Sequence, residues 1–287
     1  KVTLMVYMVG SDLESDGGAA SEDIAEMAAA NADNINITLQ TGGAAEWENA
    51  SISDGKTERH IIKNGELQNV ENLGEAQMTS PNTLTDFIKW SASNYPADRY
   101  ELVLWNHGGG TALGFGYDEM YPDDMLSLSQ IGNALSDSGI KFDIVGFDAC
   151  LMGTIETAYM LEPYADYLVA SEEYEPGTGW YYSEWLKNLS DNTSMPTVEI
   201  GKKIVEDYIN GPDSSFFDSN TLSIVDLREI PYTYSKLCET MQQEEGVLDS
   251  RYSVISQARY NAKSFGDGEY EQIDIKSYLE ECGKSDT

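Results

Sequence analysis

Two segments, Glu101-Leu-Val-Leu-Trp-Asn-His107-Gly-Gly-Gly110 and Phe142-Asp-Ile-Val-Gly-Phe-Asp148-Ala-Cys150, each read as a hydrophobic strand that runs straight into a reactive residue. The chain between them holds a loop and a helix predicted near Leu128–Ser138, so the two strands are expected to be parallel neighbours joined by a crossover. In an open α/β sheet ligands bind beyond the carboxyl ends of the strands, and His107 and Cys150 both fall there. The chain has only two histidines and three cysteines. One of each, 43 residues apart at matched strand ends, points to nucleophilic chemistry by a Cys–His pair.

The rest of the chain supplies a frame for that pair. Residues 2–9 and 35–40 read as buried strands around a helix over about 19–32, a βαβ opening. The polar stretch from Gly42 to Leu73, with Asn64-Gly65 as its turn, predicts an antiparallel hairpin attached to the sheet. Pro81 begins a helix that runs to about Tyr95. After Cys150 come a helix to about Leu161, a strand at 166–170 and a loop rich in Gly, Pro and aromatics, Tyr174-Glu-Pro-Gly-Thr-Gly-Trp180. Further helices, a strand at 221–226 and a helical tail complete the pattern. The expected fold is α/β, a mostly parallel central sheet with helices on both faces plus a small antiparallel hairpin insertion. With no internal repeat, low-complexity tract or clear linker, residues 1–287 are expected to form a single domain, truncated at one or both ends.

Charge narrows the partners. Asp and Glu total 50 against 17 Lys and Arg, a formal net charge of −33, which opposes nucleic acid and anionic membranes and favours cationic ligands. No run approaches the roughly 20 apolar residues of a membrane span. The first strand begins at once at Lys1, so the sequence is expected to start at a processing boundary, with a removed leader left open. Once Cys150 is set aside, Cys238 and Cys282 are the only candidates for a bridge, so the redox compartment is left open.

Around the reactive pair the residue types are those that acyl-transfer chemistry uses. Gly108 to Gly110 remove side chains where a peptide must approach, and the N–H groups of Gly108 and Cys150 are candidates for an oxyanion hole. A thiol just ahead of a helix is expected to gain from the helix dipole. Asp148, two residues before Cys150, would raise the pKa of a free thiol, a cost that makes sense if it receives a cationic substrate side chain. From Gly108 to Leu186 there are fourteen acidic residues and one basic residue, Lys141. Glu172 and Glu173 could add charge to the same pocket, although a solvated loop edge is the plainer role for them. For Tyr174, Trp180, Tyr181 and Tyr182 ordinary packing is favoured over a substrate-binding wall. A lipase-type reading of His-Gly-Gly-Gly fails for want of a Gly-x-Ser-x-Gly elbow, and two distant histidines without Cys-x-x-Cys give no zinc set.

Leu102-Val-Leu-Trp-Asn-His107-Gly, Gly146-Phe-Asp-Ala-Cys150-Leu-Met-Gly153 and the opening Leu4-Met-Val-Tyr-Met-Val-Gly-Ser-Asp-Leu-Glu14 together resemble the clostripain family of cysteine peptidases, which shares the fold of caspases, legumains and gingipains. The resemblance implies a caspase-like fold, Cys150 as nucleophile and His107 as general base and acid. It implies an oxyanion hole from the amides of Gly108 and Cys150, and Asp148 as the S1 residue for a P1 Arg or Lys. It implies protein or peptide substrates, secretion or cell-surface exposure in a bacterium, and a monomer. No cofactor is required for this chemistry. Some members are activated by calcium, for which Tyr117-Asp-Glu-Met-Tyr-Pro-Asp-Asp124 is the candidate loop. Relatives are often matured by self-cleavage between the two catalytic strands, where this chain offers only Lys141. The alternative from another class is a catalytically silent caspase-fold binding or adhesion module. No third catalytic residue can be named from the sequence.

Overall fold

The computed structural model describes residues 1–211, 220–245, 248–266 and 272–283. Eight strands form one sheet: β1 (Val2–Val9), β2 (Asn36–Gly42), β3 (Thr57–Lys63), β4 (Glu66–Gly74), β5 (Arg99–Trp105), β6 (Phe142–Asp148), β7 (Ala165–Ala170) and β8 (Ser223–Asp226). Their order is β4-β3-β2-β1-β5-β6-β7-β8. The five strands β2, β1, β5, β6 and β7 run parallel, while the β3–β4 hairpin and β8 add antiparallel edges. β1 lies at the centre and is buried along its whole length, as unbroken apolar runs in parallel sheets require.

Alternate residues of β1 feed two cores. Val2, Leu4, Val6 and Met8 join Ile24 and Met27 of α2 (Ala19–Ala29), Trp185 and Leu189 of α7 (Tyr182–Asp191) and Ile200 and Ile204 of α8 (Thr197–Asn210). On the other face Tyr7 meets Phe87 of α3 (Pro81–Asn94) at a ring separation of 5.8 Å. α3 packs on α5 (Leu128–Ser138), and α5 on α6 (Ile155–Leu161). α5 begins at a capping box, with Ser127 and Gln130 satisfying each other's backbone amides, and ends at Gly139 in the left-handed region. The expected crossover between the two reactive strands is therefore α5, and β5 and β6 are neighbours in register from Glu101–Ile144 to Trp105–Asp148.

The hairpin forms where expected, with Asn64 and Gly65 both at positive φ, the geometry of a tight type I′ turn. Its outer strand β4 is largely exposed and polar, and the β3–β4 ladder carries register shifts at Thr57/Glu58 and Arg59/His60.

Two compact units are present, Lys1–Leu227, which holds the whole sheet, and Arg228–Thr287. The second contains α9 (Ile230–Glu245), α10 (Leu248–Asn261), α11 (Ile275–Glu281) and a short β9–β10 ladder (Ser264–Phe265 with Gln272–Ile273), with Ala258, Ala262, Tyr278 and Cys282 as its small core. Cys150, Cys238 and Cys282 are all free thiols. Residues 284–287 lie outside the described residues. Among the described residues no helix is long and apolar enough to cross a membrane.

Candidate active site

The carboxyl ends of β1, β5 and β6 meet at one place, and Asn106 fastens them together. Its amide nitrogen donates to the carbonyl of Val9 (2.5 Å) and to the hydroxyl of Ser11 (2.8 Å), and its side-chain oxygen accepts from the Tyr117 amide (2.5 Å). Its own backbone amide donates to the Asp148 carbonyl at 3.2 Å. Asn106 is buried, so these bonds form in a low dielectric where directional polar contacts fix geometry. The residues at either side of it, Trp105 and His107, are thereby held against β6.

His107 is half-exposed, and its Nε2 lies 2.8 Å from Oδ1 of Asp12. Asp12 sits in α1 (Ser11–Ser15), the short helix that follows β1, and Ser11 before it takes φ = 52°, an uncommon conformation for a non-glycine residue. Partial burial pushes Asp12 up, but the hydrogen bond and the charge of His107 outweigh it and hold the carboxyl below the usual range. A carboxylate on Nε2 leaves Nδ1 as the nitrogen available to a reacting group. Sequence reasoning gives no handle on Asp12, because it stands 95 residues before His107 in a loop crowded with acids.

Gly108 forms an isolated bridge with Phe115 in which its neighbours make the bonds: Gly109 N to Gly114 O at 2.8 Å and Gly116 N to His107 O at 3.0 Å. The Gly108 amide is thus outside that ladder. A Cβ at Gly108 would stand 2.0 Å from the carbonyl oxygen of Cys150. The two backbones approach so closely that only glycine fits.

β6 ends at Asp148, and Cys150 sits in the turn that follows, with Leu151 at φ = 65°. Cys150 thus lies two residues beyond the strand, and strand alternation does not set its direction relative to Asp148. The expected helix-dipole contribution is also absent at the thiol, since α6 starts only at Ile155, capped by Thr154. Cys150 Sγ instead lies against the loop after β7: the Glu175 amide donates to it at 3.3 Å, and Glu175 O is 3.8 Å away. Burial pushes this thiol up, the Glu175 amide opposes, and the charges of Asp148 and Glu173 push it further up.

Asp148 is 4% exposed and its oxygens accept from the Trp180 amide (3.2 and 3.3 Å) and the Tyr182 hydroxyl (2.7 Å). Burial raises its pKa against those donors. Asp23 of α2, hydrogen bonded to the Trp105 indole at 2.6 Å, is raised by burial and by the charge of Asp148. Trp180 and Tyr182 are packed inside, in line with the packing role expected for them. Glu172 accepts from Ser223 on β8, and Glu173 from the Tyr174 amide. The carboxylate drawn up to Asp148 is Glu175, which sequence reasoning passed over because one more acid in an acidic loop carries no signal.

In the acidic loop considered for calcium, Asp118 accepts from the amides of Met78 and Met120, Glu119 from Ser15 and Ala45, and Asp124 from Gln77. These carboxylates serve protein donors and do not converge, and among the described residues no group of three metal-ligating side chains is present. Lys141 lies at the start of β6, donating to Ala165 O at 2.9 Å and facing Asp166 at 3.4 Å.

A doubly covered, mostly parallel sheet with imidazole and thiol at adjacent strand ends defines the caspase-like class of cysteine peptidases. The chain belongs to the clostripain family, whose model matches residues 6–282. It is 37% identical over 128 residues to clostripain from Hathewaya histolytica, an alignment that covers 38% of this chain and 24% of that protein's length. Its fold is similar to that of a secreted C11 cysteine protease from Bacteroides thetaiotaomicron solved with an irreversible peptide inhibitor (TM-score 0.72, 18% identity, 98% of this chain and 78% of the other). It is likewise similar to an inactive zymogen C11 protease from Parabacteroides distasonis (TM-score 0.65, 19% identity, 99% and 80%).

Proposed function

We propose that this chain is a cysteine endopeptidase that hydrolyses peptide bonds after Arg or Lys, acting as a monomer outside a bacterial cell. The observation that carries the reading is the joint geometry at the ends of β5 and β6: a thiol, an imidazole backed by a carboxylate, and a buried carboxylate beside the thiol. Family membership supports the reaction class, and the description of a similar solved protease as secreted supports the location.

In this mechanism His107 takes the proton of Cys150, and the thiolate attacks the scissile carbonyl. The carbonyl oxygen becomes an oxyanion facing the amides of Gly108 and Cys150. As the C–N bond breaks, the leaving amine takes the proton held by His107, leaving a thioester on Cys150. His107 then removes a proton from water, hydroxide adds to the thioester, and the thiolate departs and is reprotonated. Asp12, on the far nitrogen of the ring, fixes its orientation and balances the imidazolium formed in each half-reaction. Asp148 receives the P1 cation.

Fluorogenic peptides that differ only at P1, carrying Arg, Lys, citrulline or norleucine, test this with wild type and Cys150→Ala. Cleavage confined to Arg and Lys and abolished in the variant is expected. Equal cleavage of the citrulline peptide, or activity that survives loss of the thiol, would overturn the reading.

A further inference from the structure

The segment from His107 to Gly116 is a small hairpin with an exposed tip. Gly109 N donates to Gly114 O at 2.8 Å and Gly116 N to His107 O at 3.0 Å, so its arms are joined from His107 outward. The tip is one turn of helix, α4 (Gly110–Leu113), in which Leu113 N donates to Gly109 O at 3.2 Å. Gly110 at φ = 60° and Gly114 at φ = 89° permit so tight a reversal. Thr111 Oγ1 lies 3.1 Å from Oγ1 of Thr154, the residue that caps α6 beyond Cys150. The tip is therefore held from two sides, and a side chain on it has a fixed place.

That tip carries a large apolar side chain. Thr111 and Ala112 are exposed, and Leu113 after them is 51% exposed. The leucine folds back over Gly109, where a Cβ would stand 2.6 Å from Leu113 Cβ and 3.1 Å from its Cδ1. Gly109 follows Gly108, whose own missing Cβ admits the Cys150 carbonyl. Apolar surface thus lies one residue from the contact between the His107 and Cys150 loops. Single exposed leucines are ordinary on protein surfaces. This one is clamped beside the reacting centre, and it meets whatever passes there.

The chemistry says what passes. A ring that protonates the leaving amine must lie beside it, so the peptide on the carboxyl side of the scissile bond runs by His107 and the hairpin that follows. The amino side runs the other way, because Cys150 Sγ contacts the loop after β7, and β7 flanks β6 opposite β5. The first side chain after the scissile bond is the one nearest the imidazole.

We propose that Leu113 forms a wall of the S1′ subsite and gives this enzyme a preference for an aliphatic P1′ residue. This rests on the reading of the chain as a peptidase and adds the far side of the cleaved bond to it. An aliphatic P1′ side chain buries apolar surface against Leu113 that water otherwise covers. Asp12 at His107 and Glu156, 3.4 Å from Thr111, weigh against an acidic P1′ residue. Because the P1′ residue departs with the amine, the preference acts on formation of the thioester and not on its hydrolysis.

The test uses internally quenched peptides that share P1 Arg and differ only at P1′, carrying Leu, Ser or Glu. They are assayed with wild type, Leu113→Ser, Leu113→Lys and a distant control, Val70→Ser, which alters a comparably exposed apolar residue on β4. Thermal unfolding checks that each variant is folded. Wild type is expected to favour P1′ Leu over Ser by about tenfold in kcat/KM, and Val70→Ser to keep that ratio. Leu113→Ser should bring the ratio to near parity, and Leu113→Lys should raise the Glu peptide above the Leu peptide. A wild type indifferent to P1′, or a folded Leu113→Ser with the wild-type ratio, overturns the proposal, while cleavage after Arg leaves the peptidase reading standing. A wild type that cuts none of the peptides overturns that reading, and the subsite falls with it.

Discussion

The sheet carries one histidine on each side of β1, and their surroundings differ in kind. On the hairpin side, His60 is fully buried with Nε2 at 2.9 Å from the Thr41 hydroxyl, and burial lowers its pKa to about 4 despite the nearby Glu58. The ring's Nδ1 is buried without a hydrogen bond, while the polar side chains around it are paired: Arg59 donates to Gln40 and Glu71 and lies over the Trp90 ring, and Glu58 accepts from Ser53 and Asn72. On the other side His107 is half-exposed, with Asp12 as its carboxylate partner, near the buried acids Asp148 and Glu175, both raised by burial. Matched groups specify a structure and ask nothing more of it. Acids pushed up by burial, together with positive φ at Ser11 and Leu151, mark the region where the molecule gives up stability.

The strongest way to break this contrast is Gly108→Ala. A methyl group there must displace the Cys150 backbone, so kcat/KM toward a P1 Arg peptide is expected to fall by on the order of 100-fold. The fold should survive, as read by thermal unfolding. An active Gly108→Ala enzyme would show that the close approach of the two loops is packing and not part of the reaction. A smaller effect is expected from Asp12→Asn, which keeps shape but removes the charge behind His107. Here kcat should fall by about tenfold or more with KM unchanged, since Asp12 acts through the imidazole and does not touch substrate. A change confined to KM would contradict that role.

The mildest test is on the hairpin side and reads stability alone. Because the folded value for His60, about 4, lies below its ordinary 6.5, the folded state resists protonation. Its contribution is complete above pH 6.5, declines as pH falls from there to about 4, and amounts to at most about 3 kcal/mol. Denaturant titrations of wild type and His60→Gln across that window should differ in slope, with the variant flatter. Parallel slopes would mean that His60 is solvated and charges freely.

Much of this was legible in the chain. Largely apolar runs at 2–9, 101–105 and 142–148, the Asn64-Gly65 turn and the single crossover between His107 and Cys150 are local signals, and each led to the element found. What was not legible is what folding brings together from a distance. Asp12 reaches His107 only because β1 and β5 are neighbours, and Glu175 reaches Asp148 only because the loop after β7 folds back over β6. The order of strands implies that such meetings occur, but not which of many acids takes part. The helix-dipole expectation for Cys150 failed for a related reason, since a four-residue turn between thiol and helix leaves no mark in composition.

The outer strand β4 has a consequence of its own. Its nine residues end the sheet with a free row of amides and carbonyls, a rail on which any extended chain can settle, and a peptidase spends its life among extended chains. The two irregularities in its ladder, which twist that rail, make a lodged peptide unwelcome there. By discouraging a ninth strand, the hairpin keeps the molecule from being clogged by its own diet.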